Sequence, residues 1–119
     1  MPDLTRQDLI KILAITNQAR LSGVDLAGLN LSGLNFMDAD LTRADLRRCN
    51  LKNAYLRRAR LEEANLEGAI LVSANLKEAN LKGANLRSAD LSGANLTDAI
   101  VYNTDLQDAR MDRIRGLQS

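Results

Sequence analysis

The chain repeats itself every five residues for most of its length. From Ala19 to Arg113 it divides without a gap into nineteen units, each reading small–polar–leucine–any–any, as in ANLKE, ANLKG, ANLRS, ADLSG and ANLTD between Ala74 and Asp98. With the central residue numbered i, leucine fills i in sixteen units, while Phe36, Val101 and Met111 fill the other three. Alanine stands at i−2 in fourteen.

A period of five excludes the two ordinary elements. On an α-helix it drifts by about 140° per unit, so no face collects the leucines. On a flat strand an odd period sends successive leucines to opposite faces. One arrangement puts them all inside: a short extended piece with i−2 and i pointing inward and i−1 and i+1 pointing outward, followed by a bend that re-aims the chain. Repeated bends close a coil, and stacked coils make a solenoid. Six of the seven glycines (Gly23, Gly28, Gly33, Gly68, Gly83 and Gly93) occupy i+2, where the bend falls. Asn or Asp fills i−1 in thirteen of the nineteen units. Those side chains can either bond local backbone at a turn or simply occupy an exposed polar position.

With its repeated A(D/N)LXX units, the chain resembles the pentapeptide-repeat family from Ala19 to Arg113. The resemblance implies an all-β solenoid, a right-handed quadrilateral β-helix of about 4.75 coils with four units per coil. It also suggests a cyanobacterial type of protein, since the family abounds there. The expected division is an N-terminal capping helix in 1–18, the β-helix in 19–113 and a short tail in 114–119. Thr5 opens a capping-box-like TRQD with Asp8, and Leu9, Ile10 and Leu13, with Ile12 and Ile15 beside them, recur at helical spacing. A helix from about Arg6 to Gln18 is predicted over the first coil. At the other end, Ile114 and Leu117 offer little cover. The last coil is thinly capped, pairs weakly with a second copy, or continues in a longer parent.

Composition narrows the functional classes. The formal charge is +1, there is no His, and Cys49 is the only cysteine. Without His, a cysteine cluster or a phosphate-cradling glycine loop, and with polar residues scattered over convex faces, the chain reads as non-catalytic and cofactor-free. No apolar run reaches the ~20 residues of a membrane span, and no signal peptide is read, which points to the cytoplasm. Cys49 and Phe36 take inward places and read as core.

What remains is the outward surface. Asp40 to Arg60 carries Arg43, Arg47, Arg48, Lys52, Arg57, Arg58 and Arg60 against two carboxylates, a net +5, and Leu61 to Asn80 nets −3. With four units per coil, residues twenty apart become neighbours. Arg43–Glu63, Arg47–Glu67, Glu67–Arg87, Asp38–Arg58–Glu78, Asp40–Arg60 and Glu62–Lys82 should then pair, each worth about 0.2–1 kcal/mol. This argues against a nucleic-acid site in the band, although that reading stays a third option. Ile70 with Val72 and Ile100 with Tyr102 point outward, as do Tyr55 and Met37. They mark an interface or are β-favouring surface residues. The leading expectation is a structural or protein-binding module, with Ile100/Tyr102 as the better interface pair. The resemblance implies one alternative: some members protect DNA gyrase by imitating duplex DNA with an acidic rod, an acidity this chain lacks.

Overall fold

The computed structural model describes residues 2–117. Among the described residues one helix, α1 (Arg6–Ile15), precedes a β-helix solenoid. Among the described residues the solenoid is joined by sixteen parallel bridges, each linking i−1 residues twenty positions apart. They fall into four ladders: Arg20–Asp40–Arg60–Asn80–Ile100, Asp25–Asp45–Asn65–Asn85–Asp105, Asn30–Asn50–Ile70–Asp90–Arg110, and Asn35–Tyr55–Asn75–Asn95–Arg115. Each ladder uses one residue per unit, so the extended pieces are too short to be continuous strands.

Packing explains the period. Apart from Leu9 of α1, every residue of the buried hydrophobic core occupies an i or an i−2 place. Each buried leucine contributes on the order of 1.5–3 kcal/mol. Polar residues are tolerated at i−2 when they find a carbonyl. The Cys49 thiol donates to the Leu26 carbonyl (2.9 Å) and the Thr104 hydroxyl to the Leu81 carbonyl (2.6 Å).

The bend does not depend on glycine. All nineteen i+2 residues have φ between +56° and +76°, and thirteen of them are not glycine. The amide at i+3 bonds back to the carbonyl of i, as in Ala64 N to Leu61 O (3.1 Å). Positive φ at the third residue alone is the signature of a type II turn. Arg43, Arg48, Arg58, Glu63 and Glu78 thus hold a left-handed conformation that ordinarily costs about 1–2 kcal/mol. They are held there by amides that bond to the next coil, for example Arg43 N to Glu62 O (2.9 Å).

The N-terminal segment satisfies part of the first coil's open edge, at Asp25 and Asn30. Thr5 and Asp8 form a reciprocal capping box. Asp3 donates its amide to the Asp25 carbonyl (2.7 Å) and accepts the Asp25 amide on its carboxylate (2.9 Å). Arg6 reaches the Asn30 carbonyl (2.8 Å). Leu4, Ile12 and Leu13 pack against the core, and the first coil carries Val24, Leu29 and Leu34 at i−2 instead of alanine. The helix stops at Ile15, short of the expected Gln18, because Thr16 is already extended (φ −145°, ψ 144°). Of the five apolar residues at helical spacing, Ile10 and Ile15 are exposed.

At the far end the fourth ladder runs past Arg113 to Arg115. Gly116 takes the next central place against the Thr97 backbone, where a Cβ would collide. Central residues from Val101 onward are only partly buried. The last two residues of the expected tail, and Met1, lie outside the described residues.

Candidate functional site

Inward positions are occupied by packing, so any site must be built from i−1, i+1 and i+2. The i−1 position resolves into a local device. All thirteen Asn and Asp side chains at i−1 accept the backbone N–H of their own i+1 residue at 3.0–3.2 Å. These are Asx bonds that fasten the chain just before the corner. Where i−1 is not Asn or Asp, the amides of Ser22, Arg57, Glu62, Val72, Tyr102 and Asp112 have no acceptor among the described residues.

The arginine band wraps the solenoid instead of forming one face. Arg60 lies on the first ladder, Arg47 on the second ladder's side, Lys52 on the third and Arg57 on the fourth, while Arg43, Arg48 and Arg58 sit at corners. Its charges are largely matched. Arg43 meets Glu63 (3.5 Å) and Arg58 meets Asp38 (2.8 Å), the two expected axial pairs that form. Both lie in corner columns, and Asp45, the carboxylate two residues beyond Arg43, is already taken by Arg47. The other expected axial pairs are replaced. Arg47 turns back onto Asp45 (2.8 Å), Arg60 onto Glu62 (3.3 Å), Arg57 reaches Glu78 (3.5 Å) and Arg87 reaches Asp105 (3.4 Å). At i−1 and i+1 an intra-unit partner is available, and Asp45 is already pinned over the Arg47 amide by its Asx bond. The Arg47 guanidinium, aided by that amide, holds the Asp45 carboxyl below its ordinary range, and Arg58 does the same to Asp38. Arg48 and Lys52 have no ion pair among the described residues.

The two apolar pairs lie on the first and third ladders, two quarter-turns apart. Ile100 is 49% and Tyr102 64% exposed, Ile70 is 42% exposed and Val72 is half-buried. Lys82 sits over the Tyr102 ring, 5.9 Å from its centroid. Beside it, Arg43, Glu62, Glu63, Lys82 and Asn103 line a shallow dent of about 290 Å³ above Gly83. Lys82 was missed as a site residue because its axial neighbour Glu62 was expected to neutralise it. Glu62 pairs with Arg60 instead. The break in the Asn/Asp run at Ile70 and Ile100 was the available signal. Burial pushes the Cys49 thiol up to about 11, which suits a core residue. Among the described residues no three His, Cys, Asp or Glu side chains are grouped to hold a metal ion. No helix there is long and apolar enough to cross a membrane.

The family model for pentapeptide repeats matches residues 14–43, 35–71, 49–87 and 74–113, in 8 copies. This chain belongs to the pentapeptide repeat family. Among solved structures it is similar to the pentapeptide repeat protein Rfr23 of the cyanobacterium Cyanothece 51142 (40% identity, TM-score 0.78, 79% of this chain and 65% of that one). It is also similar to a pentapeptide repeat protein of the Arabidopsis thaliana thylakoid lumen (30% identity, TM-score 0.65, 81% of this chain and 63% of that one). The chain therefore spans just under two thirds of the length of each. A plasmid-mediated fluoroquinolone resistance protein, QnrB1, aligns at 18% identity over 83% of this chain and 78% of that one, with TM-score 0.42, too remote to carry a functional argument. No curated protein matches the chain at a significant level.

Proposed function

We propose that this pentapeptide repeat protein is a non-catalytic display module, a right-handed quadrilateral β-helix of about 4.75 coils capped by α1, whose outward residues bind protein. One observation carries the reading: core packing and Asx bonds account for most of i−2, i and i−1, so recognition has only the remaining outward places. Among the described residues the surface offers shallow dents, as above Gly83, which is the geometry of an interaction surface more than of an active site. The partly exposed last coil is available to a further coil or to a second copy. Sedimentation velocity over a range of concentrations separates those two.

The test is comparative capture. The immobilised chain is incubated with lysate of its source beside a variant in which Ile70, Val72, Ile100, Tyr102, Arg48 and Lys52 are replaced by serine. Circular dichroism checks that the variant retains its fold. Proteins retained by the natural chain and lost by the variant support the reading. Identical profiles, or no retention by either, overturn it. The gyrase-directed alternative requires an acidic surface, and the formal charge of +1 gives it no specific support.

A further inference from the structure

We propose that Ile100, Tyr102 and Lys82 on the first ladder form a docking site for an extended protein segment that presents a carboxylate beside an apolar side chain. The proposal rests on the protein-binding reading and names the chemistry of the partner. Its starting point is an incomplete unit. Thirteen units supply an oxygen to the i+1 amide from their own i−1 side chain, and the unit centred on Val101 does not. The Tyr102 amide points outward, as its counterparts do, without an acceptor among the described residues. Ile100 stands where the missing oxygen would be carried, half exposed.

The charge around that amide has one sign left over. Glu62 is taken by Arg60 and Glu63 by Arg43, while Lys82, one coil earlier and over the Tyr102 ring, has no carboxylate partner among the described residues. An open N–H, an unpaired ammonium and two apolar side chains within one face ask for a complement of defined type. A carboxylate accepts the hydrogen bond of the amide N–H and meets the ammonium, a charge-assisted bond stronger than a neutral one. An apolar neighbour on the same segment covers Ile100 and the Tyr102 ring. A nucleic-acid phosphate would satisfy the donors but leave the apolar pair wet, so a protein segment fits better.

The same arrangement recurs once. Ile70 and Val72 are both apolar, the Val72 amide has no acceptor among the described residues, and Lys52, one coil earlier, has no ion pair. Of the six units with an open i+1 amide, these two alone pair it with apolar residues at both i−1 and i+1. The Ile100 site is the more exposed of the two and has the aromatic ring.

The test is a ¹⁵N-amide NMR titration of the full chain with acetyl-Leu-Asp-Leu-amide, acetyl-Leu-Ala-Leu-amide and a short oligothymidylate. The aspartyl peptide is expected to move the Tyr102 amide progressively at millimolar concentration, and the alanyl peptide to bind about tenfold more weakly, the loss of one charge-assisted hydrogen bond. Lys82→Gln should weaken the aspartyl peptide several-fold. Ile100→Asn, which supplies an oxygen from within the chain, should abolish the Tyr102 response while the rest of the spectrum stays in place. An unmoved Tyr102 amide, equal binding of the two peptides, or a stronger response to the oligothymidylate overturns the proposal. Shifts confined to other faces overturn this site and leave the display reading standing, which the capture comparison tests independently.

Discussion

If the Asx bonds fasten each coil, removing one should have a definite and local cost. Asn75 is a clean place to look. Its Oδ1 accepts the Lys77 amide at 3.1 Å, no other side-chain bond involves it among the described residues, and its backbone is bridged to both Tyr55 and Asn95. Asn75→Ala leaves the bridges and deletes the acceptor. The bond is only part-buried, so the loss is that of one ordinary hydrogen bond, about 1 kcal/mol. At about 2.1 cal/mol/K per residue, unfolding 119 residues carries about 0.25 kcal/mol/K, so the midpoint should fall by about 4 °C. Asn75→Asp keeps the acceptor, as Asp90 does at the same place of another unit, and Lys77→Ala leaves the bond intact. Both should stay within about 0.5 kcal/mol of the natural chain. Thermal unfolding read by two probes gives the midpoint, and amide hydrogen exchange at Lys77 gives the local effect: faster in Asn75→Ala, unchanged in Asn75→Asp. An alanine variant with the natural midpoint and natural exchange at Lys77, or an aspartate variant as weak as alanine, would refute the reasoning.

Leu66 is fully buried, so Leu66→Ala should lower stability by about 2–5 kcal/mol in urea titrations, and Leu66→Asp should leave no cooperative transition. The carboxyls of Asp38, Asp40, Asp45 and Asp90 are held below 3.8 by bonds from Arg58, Thr42, Arg47 and Ser92 respectively. A depressed folded value gives stability that is present above the unfolded value and lost as pH falls through the folded one. The urea midpoint should therefore be level near pH 6 and decline below about pH 4, less steeply in Asp40→Asn. A midpoint that stays level through that acid range would contradict this. The Cys49 thiol, buried and pushed up to about 11, should react with an aromatic disulfide only when denaturant opens the coil. Rapid labelling of the native chain would show that the interior is not closed there.

The solenoid was legible because its inward residues obey one rule that no other element satisfies. The outward surface was less legible. The Asn/Asp column was consistent with both a local bond and plain exposure, and sequence spacing alone does not say where a side-chain oxygen points. Glycine marked the bend correctly at Gly68 and Gly83, yet the same left-handed turn is made by Arg58 and Glu78, whose sequence gives no sign of it. Only two of the seven expected axial ion pairs, Arg43–Glu63 and Arg58–Asp38, form. A twenty-residue offset finds Arg58 with Asp38, but it overlooks that Asp45 is pinned within its own unit and so captures Arg47. Asp3 and Arg6 fall before the repeats and carry no motif, so their bonds to the first coil's carbonyls had no signal in the pattern.

Ile100 lets the two explanations of an outward apolar residue be separated. Isoleucine there gives up an Asx bond worth about 1 kcal/mol. It gains β-propensity, a scale spanning about 1 kcal/mol, and partial burial on the Asn80 side of its ladder. If the residue serves the fold, the second group must win and Ile100→Asn must destabilise. If it serves a partner, the natural residue is held against the preference of the lattice, and Ile100→Asn should be neutral or stabilising while the aspartyl peptide is lost, the usual opposition between stability and function at a binding surface. The thermal midpoint of Ile100→Asn decides, with Ile100→Gln as the control that is polar but does not reproduce the Asx geometry. Asparagine should exceed glutamine by about one hydrogen bond, 0.5–1.5 kcal/mol. An asparagine variant more than about 1 kcal/mol below the natural chain would assign Ile100 to packing alone and remove the docking site with it.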